Sequence, residues 1–445
     1  MNLIASLRRL LFCLVGLTLP FEHYAIGEFG GFWLTPNKLL AALLLGFAIL
    51  DFGTGGQRGT KPPRDAKRPW VILLVVALGI SGFQAVALGT PVGGVVTELM
   101  TWYALALFYF TLVYLLRTRR DLDLLLGSFL LGCLIAAVSG WLGYGEELFG
   151  ARYGGERLAG EGGNPNLLAF NLLIAIAVAL SFYFTTRSMA WRLFNLGAVG
   201  VMLVAITATA SRSGLLAAVV LGVFWTYRYR ARMLRYAIPV ALLVATTVVL
   251  IPESSIQRYQ TISVEGVQTE YSARGRLEMW YGTFRAFLYN PLTGVGVGRW
   301  KAWAGEIEGV RAVGIHNAFL RVLADAGLLG FVPFTLIVAF TWTAFARARR
   351  LARRAPRGNP NLPILELRVS MLQIGLAAVL VMSMFQPTNQ HKGLWLMAAL
   401  STIVLGMVRA CAGERAPAGE SFEGAPWASA VPGASLPRPA GARGS

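Results

Sequence analysis

Apolar runs long enough to cross a bilayer recur along the whole chain, separated by short polar segments. A spanning helix needs about 20 mostly apolar residues, because each rises about 1.5 Å across a hydrocarbon core about 30 Å thick. The pattern predicts such helices over Leu10–Pro20, Trp33–Asp51, Trp70–Gly89, Val95–Leu116, Leu122–Gly143 and Leu167–Thr186. It predicts six more over Phe194–Ala210, Gly214–Tyr227, Ala237–Ile251, Phe319–Phe345, Ser370–Phe385 and Leu394–Val408. Lipid offers no partner to an exposed backbone amide, so spans of this kind form a helical bundle. The expected fold class is an all-α polytopic membrane protein with about twelve transmembrane helices. Residues 1–251 would hold spans one to nine, 252–316 a large outer loop, and 317–409 the last three spans. Residues 410–445, rich in Gly, Ala, Pro and Ser, read as a disordered tail.

Two shorter patterns stand out in the long loop. Leu277, Trp280, Tyr281, Phe284 and Leu288 fall on one helical stripe, and Asn290-Pro291 ends it. That predicts a helix lying along the membrane surface, with its aromatics buried in the interface and Arg276 held at headgroup depth. Gly294-Val295-Gly296-Val297-Gly298 follows without a strand–helix unit around it. A tight re-entrant turn is expected there rather than a dinucleotide loop.

Composition agrees with this picture. The 445 residues are 56% hydrophobic and 14% charged, with mean hydropathy +0.58. That balance excludes an ordinary soluble enzyme and a disordered chain alike. The net charge of +18 would suggest nucleic acid in a soluble protein. Here most bases fall in alternate loops: Arg8 and Arg9, then Arg58–Arg68, Arg117–Arg120, Arg187–Arg192, Arg228–Arg235 and Arg347–Arg357. By the positive-inside rule those loops and both termini are cytoplasmic. No small-x-small site follows the first run, so it is expected to stay as an uncleaved anchor. Of the three cysteines, Cys13 and Cys133 lie in spans and Cys411 at the inner side, which leaves no disulfide framework outside.

The bases on the other side are not required by topology. Arg212 sits in Ser211-Arg212-Ser213, squeezed between two spans, where a cation is costly unless it pairs or faces a polar cavity. Arg274 and Arg276 precede the interfacial stripe, and Arg152 and Arg157 lie in the third outer loop. His316 opens the tenth span, followed by Asn317 and, one turn on, Arg321. His391 and Lys392 precede the last span. Imidazole suits proton transfer near neutral pH, whereas three scattered histidines make a metal cluster improbable. Asp121-Leu122-Asp123 matches a metal-holding D-x-D but follows Arg119 and Arg120 at a helix start, where acids favour the dipole, so it reads as capping.

Guanidinium forks at the outer interface suit the pyrophosphate of a lipid carrier. Asn164-Pro165-Asn166, Ser211-Arg212-Ser213, Arg276-Leu277-x-x-Trp280, Asn290-Pro291-Leu292-x-Gly294-x-Gly296, His316-Asn317 and Asp325-Ala326-Gly327 come in a fixed order with a large loop between spans nine and ten. Together they resemble the bacterial O-antigen ligase and polymerase superfamily from about Asn164 to His391. The resemblance implies a GT-C-like, inverting, metal-independent glycosyltransferase without cofactor in the bacterial inner membrane. Its donor would be an O-antigen polysaccharide on undecaprenyl pyrophosphate, its acceptor lipid A–core, and its active site periplasmic. His316 would be catalytic, with Arg212 and Arg276 binding the donor pyrophosphate. Arg152, Arg157 and Arg274 would be further donor contacts, and Asn317, Arg321, His391 and Lys392 acceptor or support residues. Polymerase and protein O-oligosaccharyltransferase are the alternatives within the superfamily. A transporter or flippase of an anionic lipid-linked sugar is the competing class, but its charges belong at midplane depth, and those here stay at loop edges. Membrane lipids are expected partners; nucleic acid is not.

Overall fold

The computed structural model describes residues 3–21, 27–29, 32–54, 65–142, 158, 164–229, 271–308, 310, 312–355 and 359–413. The first helices are α1 (Leu3–Thr18), α2 (Pro36–Gly53), α3 (Arg68–Ala87), α4 (Val92–Leu115) and α5 (Arg119–Trp141). A small antiparallel hairpin, β1 (Gly27–Phe29) with β2 (Phe32–Leu34), joins α1 to α2. Next come α6 (Pro165–Thr185), α7 (Met189–Ala208), α8 (Arg212–Tyr229), α9 (Tyr271–Tyr289) and the short α10 (Trp300–Gly305). The chain closes with α11 (Ala318–Arg354), α12 (Asn361–Ser383), a 3-10 turn (Thr388–Gln390) and α13 (Lys392–Cys411).

Among the described residues nine helices are long and apolar enough to cross a membrane, α2 to α7 and α11 to α13. Two other expected spans are helical but marginal: α1 has 16 residues, and α8 begins on Arg212 and ends near Arg228. The span expected over Ala237–Ile251 lies outside the described residues, as do residues 414–445. Hereafter the end of the bundle with the N-termini of α4, α6, α8, α11 and α13 is the upper end, and the opposite one the lower end.

Three helices form the centre. Residues 168–179 of α6, 368–379 of α12 and 393–408 of α13 are buried without interruption. A helix apolar all round has no reason to show a 3.6-residue stripe, since every face meets protein or lipid. Peripheral helices instead leave large apolar side chains uncovered, such as Phe52 and Phe83. Hydrocarbon is the solvent that tolerates such a surface.

Close approach depends on small residues, as expected where apolar burial gives helices no preference for each other over lipid. A Cβ added at Gly132 of α5 would lie 2.2 Å from the Leu17 carbonyl oxygen, and one at Gly16 would lie 2.2 Å from Ser128 Oγ. The α1–α5 contact is thus backbone against backbone at both glycines.

The lower end is tied by ion pairs. Arg8 and Arg9 meet the buried carboxylate of Asp121 at 3.1 and 3.3 Å. Arg368 of α12 donates to Asp123 and lies 4.6 Å over the Phe182 ring. The Asp121-Leu122-Asp123 acids therefore hold three helices together. The cap itself is Thr118, whose hydroxyl accepts from the Asp121 N–H at 3.1 Å, so the capping expectation is amended. Deeper, the Lys67 ammonium donates to Ser401 at 3.0 Å and Thr402 at 2.6 Å and lies 3.5 Å from Asp65, to which Tyr109 also donates. Burial pushes Lys67 below its ordinary range, and Asp65 pulls against that shift.

The loop before α11 has its own small core. Ala286, Val295, Trp300, Trp303, Val310 and Ile315 pack with Ala324. One face of α9 rests on this cluster through Gly282 and Ala286. The opposite face carries Leu277, Tyr281, Phe284 and Leu288, all exposed, on the stripe that the sequence predicts.

The glycine notch generates a test. Gly132→Val is expected to lower the unfolding free energy by about 2 kcal/mol, because its side chain meets backbone that cannot retreat. Gly127→Val in the same helix, where an added Cβ meets nothing within 4 Å, is expected to stay near wild type. Thermal unfolding of the two purified variants in one detergent makes the comparison.

Candidate functional site

Helix starts gather at the upper end. At the head of α8, Ala210 has φ 46°, a left-handed conformation unusual for a residue other than glycine. That turn brings Ser211 into the capping position. Its hydroxyl donates to Asn166 Oδ1 at 2.6 Å and accepts from the Gly214 N–H at 3.1 Å. Asn166 in turn belongs to the first turn of α6, which Asn164 caps by accepting from the Asn166 N–H at 3.0 Å. Arg212 is thereby placed at the first position of α8, partly buried, beside the start of α6. A cation here adds to the positive end of the helix dipole rather than opposing it. The local field therefore favours an anion at this place.

The head of α11 is built similarly. Asn317 accepts from the N–H groups of Phe319 and Leu320 at 2.9 and 3.1 Å. His316 precedes that cap, half-buried between the buried Ile315 and Asn317. Nine residues after the helix start at Ala318, Gly327 adopts φ 55°, ψ −154° and breaks the helix, a region essentially reserved for glycine. The break frees carbonyls and amides, and the glycine-rich turn takes them. The N–H groups of Val295 and Gly296 donate to the carbonyls of Ala324 and Asp325 at 2.8 and 3.2 Å. Those of Leu328 and Leu329 donate to Pro291 and Leu292 at 2.8 and 3.1 Å. Gly294 (φ 69°) and Gly327 make the contact possible, because a Cβ on either would stand within 2.4 Å of the other segment's backbone. Ser81 of α3 completes the joint, donating to the Asp325 carbonyl at 2.5 Å and accepting from the Val297 N–H at 3.0 Å. The expected tight turn is therefore present, seated on the kink of α11.

Charge at this joint is organised around Arg321. Its guanidinium lies 2.5 Å from Asp325 Oδ2 and 3.6 Å from Glu98 of α4. Glu98 also accepts from the Gln390 side-chain amide at 2.8 Å. Asp325 Oδ1 is buried without a hydrogen-bond partner among the described residues. Arg321 is thus matched by two carboxylates.

His391 is buried; its Nδ1 accepts from the Gly393 N–H at 3.1 Å and caps α13, and its ring sits 4.4 Å from Phe170 of α6. Lys392 is the first residue of α13 and lies close enough to Lys38 for the two charges to repel. Arg274 and Arg276 lie in the first turns of α9. Arg152 and Arg157 lie outside the described residues. Among the described residues no three His, Cys, Asp or Glu side chains converge in a way that would hold a metal ion.

Sequence reasoning missed Glu98, Gln390 and Ser81 as members of this framework. Glu98 carried a usable signal, being the one charged residue of α4. An acid inside an apolar span is expensive enough to call for a partner.

Residues 197–335 match a family model described as O-antigen ligase. The matched stretch runs from within α7 past the kink of α11 and includes Arg212, Arg274, Arg276, His316, Asn317 and Arg321. Glu98, Gln390, His391 and Lys392 lie beyond it. No curated protein matches the chain. The resemblance read from the motifs is thus borne out over this stretch. With the apolar helices, the match indicates a multi-pass membrane protein and supports a function of the O-antigen ligase or polymerase type in general.

Arg321→Met leaves Asp325 buried without its cation and is expected to cost about 3 kcal/mol of stability. Arg321→Met with Asp325→Leu removes both charges and should recover most of that loss. Unfolding of both purified variants, monitored by intrinsic fluorescence, gives the comparison.

Proposed function

We propose that this protein is an O-antigen ligase of the bacterial inner membrane. It moves O-antigen polysaccharide from undecaprenyl pyrophosphate to lipid A–core, with the upper end periplasmic and the lower end, with both termini, cytoplasmic. The observation that supports the reading is that Arg212 and His316 stand at helix starts at the same end of the bundle, within the stretch that matches the family. The basic residues clustered at the lower end support the orientation.

In this reading the donor lipid keeps its tail between helices and its pyrophosphate at the head of α8. Arg212 and Arg276, with Arg274, Arg152 and Arg157 as further contacts, neutralise the leaving pyrophosphate. Guanidinium groups thus take the role that a metal ion plays elsewhere. His316 takes the proton from an acceptor hydroxyl as its oxygen forms a bond to the anomeric carbon. The bond from that carbon to the pyrophosphate breaks on the opposite face, so the configuration inverts. Asn317 fixes the α11 terminus that presents His316, and the cap by His391 positions the start of α13.

Reconstitution tests this directly, with purified protein, lipid-linked polysaccharide, lipid A–core and a chelator. Wild type is expected to form the capped product. His316→Ala should lose about 100-fold or more in rate, and Arg212→Lys and Arg276→Lys about tenfold or more, since lysine keeps the charge but not the fork. Undiminished transfer by His316→Ala would remove its catalytic role, and polymer growth without lipid A–core would point to a polymerase. Orientation has a separate check. Lys301→Cys, at an exposed upper-end position, should react with a membrane-impermeant maleimide that has crossed only the outer membrane. Arg353→Cys should react only after the inner membrane is opened.

A further inference from the structure

Glu98 lies outside the family-matched stretch, on a helix distant in sequence from every residue assigned above. We infer that Glu98 is a positioning residue of the upper-end site, acting through Arg321 on the first turns of α11 and so on His316. This deepens the ligase reading and, for its kinetic consequence, rests on it.

Gly327 severs the helical ladder, so the segment from Ala318 to Ala326 does not inherit its direction from the long part of α11. Its orientation must come from side attachments. One flank is fixed by the glycine-rich turn and Ser81, which bond the carbonyls of Ala324 and Asp325. The other is tied to α4 by Glu98, one oxygen of which lies 3.6 Å from Arg321 while the other accepts from Gln390 at 2.8 Å. Gln390 precedes His391, and His391 packs on Phe170 of α6. Glu98 therefore couples α4, α11, the turn before α13 and, through that turn, α6. It is also one-third exposed, whereas Asp325 is almost fully enclosed. A carboxylate that served only to neutralise Arg321 would duplicate Asp325. The second acid instead sets the angle at which the short segment leaves the bundle.

The segment is short and begins with the residues next to His316, five positions before Arg321. A small tilt at Arg321 therefore moves the imidazole relative to a bound acceptor. Misplacement of a reacting group by about 1 Å can cost up to about 100-fold in rate. Substrate affinity, which other residues supply, need not change.

The test compares full-length Glu98→Gln, which keeps a hydrogen-bonding side chain beside Gln390 but loses the charge toward Arg321, with wild type. Glu366→Gln, at the lower end, is the control. Two readouts are needed. The first is the kcat and donor KM of the reconstituted transfer. The second is the imidazole NMR signal of His316 in detergent, assigned with His316→Gln; the chain has three histidines. Glu98→Gln is expected to lower kcat about tenfold, leave KM within about twofold, and shift the His316 signal. In an Arg321→Met background it should have no further effect. If Glu98→Gln does not accumulate, Gln390→Ala should give a smaller change of the same kind.

An unchanged His316 signal with unchanged kcat overturns the inference. So does a raised KM at constant kcat, which would make Glu98 a direct ligand of the saccharide. If wild type transfers nothing while the signal still shifts, the coupling stands and the ligase reading falls.

Discussion

In hydrocarbon a backbone amide without a partner costs several kcal/mol, and α11 breaks its own ladder at Gly327. The break is tolerable because the 291–297 turn supplies, bond for bond, the donors and acceptors that the helix lost. The exchange fixes where the long loop meets the bundle and seats the small core of Trp300, Trp303 and Ile315 above it. It also converts the first nine residues of α11 into a separate lever. The position of His316 relative to everything else is therefore a property of this joint.

Charge is handled differently at the two ends. At the lower end Asp121 and Asp65 are enclosed and Asp123 half-buried; their pairs with Arg8, Arg9 and Arg368 join α1, α5 and α12, and Lys67, paired with Asp65, ties the start of α3 to α13 through Ser401 and Thr402. Buried pairs of this kind repay their desolvation only with good geometry and additional hydrogen bonds, which Ser401, Thr402 and Tyr109 provide around Lys67 and Asp65. At the upper end Arg321 is matched by two acids, while Arg212 stands at a helix N-terminus where the dipole adds to its own field. The same residue type thus acts as cement in one place and stands in a field that favours anions in another. Net charge alone does not distinguish the two.

Much of this was legible in the sequence. Length and apolarity located eleven helices that the structure describes, because in a membrane the span length is set from outside the protein. The glycine-rich turn, the stop at Asn290-Pro291 and the exposed stripe of α9 also followed from local pattern. Tertiary pairing did not. Asp121 and Asp123 looked like dipole acids because their partners Arg8 and Arg368 lie more than a hundred residues away. Glu98 went unnoticed for the same reason: its meaning comes from Arg321 and Gln390, which no local pattern connects to α4. His391 looked available for chemistry, yet its Nδ1 is engaged by the backbone of Gly393.

The glycine contact between α1 and α5 also constrains how the protein is made. Arg8 and its partner Asp121 are separated by 113 positions. At about 5–20 residues per second, the ribosome takes roughly 6–23 seconds to cover that distance. During the interval α1, read from the sequence as a membrane anchor, has its notch at Gly16 open and its two arginines unanswered by Asp121. A helix of 16 residues, short for the lipid around it, is held poorly in that state. The pace of translation through α2 to α4 therefore becomes part of the folding problem, and a pause there lengthens the time in which the first helix can be lost.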